Sequence, residues 1–145
     1  MLEVMNILST LMLGIFAGAL LTEATILVPY WRKMVPADFF RLHGEMGPSL
    51  FRYFAPLTTI TVLLAISAAV MALIHPAPSF LRLIAGAGAA ISLLIFFVYF
   101  KNANQSFADH SLTEEELGPE LKRWAIWHWI RTIIIVFAFM AALMS

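Results

Sequence analysis

The chain has 145 residues and a mass of 16.2 kDa, the size of a single domain. Hydrophobic residues make up 61% of it, charged residues 12%, and mean hydropathy is +0.87, well outside the ~45–50% apolar and ~25% charged of soluble domains, so a water-soluble monomer is excluded. Nine Lys and Arg balance nine Asp and Glu, which removes the basic footprint of a nucleic-acid binder, and the absence of cysteine removes disulfides, thiolate metal sites and cysteine nucleophiles.

Residues 4–28 form the first of four apolar stretches, the others being 54–74, 83–100 and 125–144, each close to the ~20 residues a bilayer-crossing helix needs. Ala17-Gly18-Ala19 resembles a signal-peptide cleavage site, but residues 1–9 carry Glu3 and no Lys or Arg, so the first stretch is expected to be a retained helix. In the loop that follows, Pro36-Ala37-Asp38 precedes Phe39, Phe40, Leu42, His43 and Met46. Their spacing predicts a short helix in the membrane interface that roofs the bundle.

Pro56, near the start of the second span, predicts a bend. Residues 75–79 read as a plain turn. The third span is slim through residues 85–90, and Gly14 and Gly18 form a small-xxx-small pair in the first. Both allow close helix approach, either within the chain or along a homo-oligomer seam. In the third loop Thr113 and Glu116 fit a capping box, with Leu112 placed to staple against Leu117. Gly118-Pro119 is expected to end that turn and to let the last helix begin near Pro119. The whole reads as an all-α fold, a single antiparallel four-helix transmembrane bundle over residues 1–145. Open sheets cannot satisfy their backbone in lipid, and the alternation of a barrel is missing.

Eight of the nine Lys and Arg fall in or near the first and third loops, and only Arg82 falls at the opposite end. The positive-inside rule then puts those loops in the cytoplasm and both termini outside, in an inner (cytoplasmic) membrane. Within the spans, ionisable residues are functional candidates by default. Glu23 precedes the Tyr30-Trp31-Arg32-Lys33 anchor by seven residues, and Arg131 follows Trp124 by seven, so each is buried by roughly 10 Å from the same side. The two are expected to form an ion pair, structural or functional. Trp124, His128 and Arg131 share one helical face, with Trp127 beside them, while Asn102, Asn104, His43 and Glu45 collect over the same mouth. His43, Glu45, Glu23 and His128 are ligand types for a metal, and His43 with His128 for a haem. Their spacing forms no recognised motif, so neither cofactor is expected.

Gly18 and Pro29 around the end of the first span, the segment led by Asn104, and the run WAIWHWIR at residues 124–131 together resemble the anthrone-oxygenase-like family of small four-helix membrane proteins. The likeness covers nearly the whole chain; where family members often carry a proline shortly before that asparagine, this chain has Asn102. The resemblance implies oxygenation of an anthrone, or a related planar phenolic or quinol, to a quinone-type product. In that setting His128 is expected to act as base, Arg131 to hold the oxyanion, and Trp124 and Trp127 to clamp the ring, with Asn102 and Asn104 lining the site; Glu23 joins the catalytic candidates and His43 the lining on the burial argument alone. Two other classes stay open: a non-enzymatic subunit of a larger membrane complex, and a haem or metal carrier.

Overall fold

The computed structural model describes residues 2–145; Met1, the first residue of the single expected domain, lies outside the described residues. Four long helical segments account for nearly all of it: Leu2–Trp31, Pro36–Leu73, Phe80–Ala108 and Glu114–Leu143. The first comprises α1 (Leu2–Thr22), a widened π-helical turn (Glu23–Leu27) and α2 (Val28–Trp31). The second is α3 (Pro36–Leu73), unbroken. The third comprises α4 (Phe80–Ile95), a second π-helical turn (Phe96–Phe100) and α5 (Lys101–Ala108), and the last is α6 (Glu114–Leu143). All four are long and apolar enough to cross a membrane. A 30-residue helix spans roughly 45 Å against a hydrocarbon core of about 30 Å, so each protrudes.

Around the bundle α1 packs on α3 and α6, and α4 packs on the same two, which makes a simple up-and-down ring. The outside is apolar, with Ile7, Leu11, Ile60, Leu63, Ile91, Leu94, Ile133 and Phe137 all exposed. Such a surface demands a lipid solvent. Inside are two apolar layers. One, toward the chain termini, contains Leu13, Phe16, Leu20, Ala65, Ala89 and Ile135. The other, toward the two charged loops, contains Trp31, Phe39, Phe100, Phe107, Leu121 and Trp124.

Small residues set how near the helices come. A methyl added at Gly86 would stand 2.6 Å from Ala69 Cβ and 3.1 Å from the Ala65 carbonyl oxygen, so α4 touches the α3 backbone there. One added at Gly88 would meet Ala138 Cβ at 2.9 Å, and one at Gly14 would meet the Phe139 ring at 2.9 Å. The slim third span and Gly14 thus serve contacts within the chain. Gly18 faces open space.

Two expectations about helix ends are corrected. The roof segment is not a separate short helix: residues 36–53 are the first turns of α3, which runs on through Pro48 and Pro56. Proline removes one hydrogen bond and can kink a helix without ending it, and neither Gly44 nor Gly47 adopts the positive φ of a helix stop. Likewise α6 starts at Glu114, not near Pro119, and continues through Gly118-Pro119. Its capping box forms as the spacing predicts: Thr113 Oγ1 accepts from Glu116 N at 3.3 Å, and Thr113 N donates to Glu116 Oε2 at 2.9 Å. Leu112 packs in the same cluster as the buried Leu117.

At the terminal end Arg82 is buried, donating from Nη1 to the Asn6 carbonyl at 3.2 Å and to Thr10 Oγ1 at 2.9 Å. The guanidinium that stands alone at that end in the sequence is thus tied to α1.

Candidate functional site

The two π-helical turns flank the interior near the charged end. Pro29 accounts for the first, because its ring would collide with the carbonyl four residues back in a straight α-helix and a widened preceding turn relieves the clash. Such turns are frequent at functional sites. Glu23 opens this one and is buried, and Phe100 closes the other.

Between the helices lies a cavity of about 690 Å³, within the range that holds drug-sized ligands. Glu23 and Arg131 line its polar side, from the first and last long helices. Its walls include Trp31, Phe39, Phe100 and Trp124, and Asn104 and His43 border it near the charged loops. No nitrogen–oxygen contact within 4.0 Å joins Glu23 to Arg131 among the described residues, so the expected direct ion pair is replaced by a shared cavity. Arg131 instead lies with its guanidinium carbon 4.6 Å from the Phe100 ring centroid and 6.0 Å from that of Phe16, and its Nε, fully buried, has no hydrogen-bond partner. A buried donor left without a partner is costly, and the side chain that carries it is among those lining the cavity.

His128 sits behind this wall rather than on it. It is 0% exposed, stacks on Trp124 at 4.9 Å and places Nε2 3.8 Å from Glu23 Oε2. Nε2 also lies 3.0 Å from the Leu20 carbonyl oxygen, which can only accept. The Nε2 nitrogen therefore carries the proton in the neutral ring, and the buried, unpartnered Nδ1 is the bare acceptor. Trp124 is fixed in turn by donating from Nε1 to Asn104 Oδ1 at 3.0 Å, and it meets Phe100 edge-on at 5.1 Å.

The structure thus gathers Glu23, Trp124, His128, Arg131 and Asn104, with His43 at the rim. His43 is half-buried and stacks on Phe39 at 5.4 Å. Two expected members lie elsewhere: Asn102 is exposed and does not line the cavity, and Trp127 stacks on Tyr99 at 5.6 Å, away from it. Glu45 is exposed, and no three His, Asp or Glu come together as a metal-ligand group among the described residues. Phe16, Leu20 and Phe100 are members that sequence reading missed. For the first two a signal existed, since Phe16 and Leu20 precede Glu23 by seven and three residues and so share its face. Phe100 sits in the aromatic run at the end of the third span, where aromatics ordinarily read as interface anchors.

In comparisons with known protein families, with functionally described proteins and with solved structures, the chain matches none.

Proposed function

We propose that this chain is an integral membrane oxidoreductase, similar in kind to the anthrone-oxygenase-like proteins, acting on a planar hydrophobic phenolic, anthrone or quinol at the cytoplasmic end of the bundle. One observation carries the reading: an aromatic cavity is lined by two ionisable side chains, Glu23 and Arg131, with no ion-pair contact between them among the described residues.

A flat ring system entering the cavity would meet an aromatic wall that includes Trp31, Phe100 and Trp124. Because Glu23 borders the cavity and His128 does not, the base that meets the ligand is Glu23, while His128, its Nε2–H given to the Leu20 carbonyl, stands 3.8 Å from it. Glu23 takes the proton from an acidic methylene or hydroxyl, and Arg131 holds the oxyanion that develops. For an anthrone the balance is one methylene and O₂ giving one ketone and water, with the enolate as reductant and O₂ as oxidant. No resident cofactor is needed for that balance. His43 and His128 do not suit a haem, since only His43 faces the cavity.

Oxygen uptake by purified protein in lipid, with an anthrone or quinol added, tests the proposal. Turnover is expected in the wild type and lost in Glu23→Gln, which keeps size and folding while removing the base. If folded wild-type protein neither binds nor oxidises any planar phenolic compound tested, with or without added metal, the reading fails. Co-purification with a larger membrane assembly would then favour the subunit.

A further inference from the structure

At about 690 Å³ the cavity is larger than a ring system needs, and its lining residues say where the remainder leads. Its two buried ionisable groups, Glu23 and Arg131, come from the first and last long helices. Its far side is the seam between α3 and α4, lined by Phe54, Ala55 and Leu93 and reaching Phe51 and Phe97. Phe51 and Phe97 are 64% and 56% exposed, so they stand on the outer surface of the bundle while still bordering the cavity. Both lie where an apolar span gives way to charge, beside Arg52 and shortly before Lys101.

The seam has two halves. Toward the chain termini Gly86 brings α4 against Ala65 and Ala69 of α3. Toward the charged end the large Phe54 of α3 and Leu93 of α4 both line the cavity. The result is a passage whose α3–α4 wall is mostly apolar, interrupted by Thr58 and Thr59, and that reaches the outer surface at Phe51 and Phe97. A compact ring seated at Glu23 and Arg131 would leave this passage empty, and unfilled apolar surface forfeits its contacts.

We infer that the ligand is a phenolic or quinol ring bearing a long apolar tail, with the ring at Glu23 and Arg131 and the tail leaving between α3 and α4 past Phe51 and Phe97. This rests on the function proposed above and narrows its substrate class to membrane-dissolved molecules. The tail never leaves an apolar medium, so the ring reaches the polar side by lateral movement from the bilayer.

A hydroquinone carrying a decyl chain tipped with a diazirine tests this on wild-type protein in lipid nanodiscs. After illumination, the labelled peptides are mapped by mass spectrometry. The expected label lies within residues 47–58 and 93–97, and most of it is lost when unlabelled decyl-hydroquinone or methylhydroquinone competes. Displaceable label on the charged loops or on the outer faces of α1 or α6 would overturn the tail's route while leaving the ring site standing. Loss of label to added phospholipid but to neither hydroquinone would make the occupant a lipid chain and overturn the inference. An absence of any displaceable label would remove both the inference and the function on which it rests.

Discussion

Gly86→Ala isolates the contact that holds the closed half of the α3–α4 seam. The added methyl would lie 2.6 Å from Ala69 Cβ and 3.1 Å from the Ala65 carbonyl, so one helix must shift, and overpacking of this kind costs about 1–3 kcal/mol. Against it stands the gain of ~0.5–1 kcal/mol that alanine brings over glycine in a helix interior. Gly18→Ala supplies that gain alone, because nothing lies within 4 Å of its added methyl. The difference between the two variants therefore reads the clash free of helix propensity. Gly86→Ala should unfold more easily than Gly18→Ala by about 1–3 kcal/mol, measured by denaturant unfolding in detergent micelles. Ala69→Gly combined with Gly86→Ala removes the nearest colliding atom and should recover part of the loss as a non-additive term. Equal stability of Gly86→Ala and Gly18→Ala would refute the close approach of α3 and α4, and with it the two-part seam from which the lateral passage follows.

Other predictions address separate links. Thr113→Ala removes the side-chain acceptor of the capping box and should cost about 0.5–2 kcal/mol, visible as faster amide exchange at Glu116 and Leu117. Asn104→Leu leaves Trp124 Nε1 without its acceptor; by intrinsic fluorescence the Trp124 environment should change, and affinity for a flat phenolic compound should fall, with less effect from Asn102→Leu at an exposed position. A reporter fused after Ser145 should be active only outside the cytoplasm, since eight of nine basic residues cluster near the opposite loops; cytoplasmic activity would reverse the orientation.

Much of the fold was legible because the bilayer restricts the choices. A stretch such as residues 125–144 has few alternatives to a helix once its length and apolarity are known, and alternating short connections then give an antiparallel ring. Thr113 and Glu116 were equally readable, since a capping box depends only on neighbours three residues apart. Continuity was less readable. Pro48, Pro56 and Pro119 all punctuate a sequence, yet α3 and α6 run through them. Whether a proline ends a helix or is carried within one depends on what the next turn can bury. Here Phe39 and Phe40 before Pro48, and Leu121 and Trp124 after Pro119, are buried.

The site shows the same division between local and non-local information. Helical spacing alone puts Trp124, His128 and Arg131 on one face, and Trp124 and His128 do stack. Spacing cannot say which member of a face meets a cavity and which meets a neighbouring backbone. That depends on the rotation of α6 against the first long helix, where the Leu20 carbonyl takes His128 Nε2 and Glu23, not His128, lines the open space. Under the proposed function, the histidine chosen from its chemistry stands beside the site, and the carboxylate chosen from its burial is the group a ligand would touch. The consequence can be separated by kinetics: under the proposed function Glu23→Gln should abolish the proton-transfer step. His128→Gln, which can still donate to the Leu20 carbonyl, should retain part of it. Equal and complete loss in both, with the bundle folded, would return the base to His128.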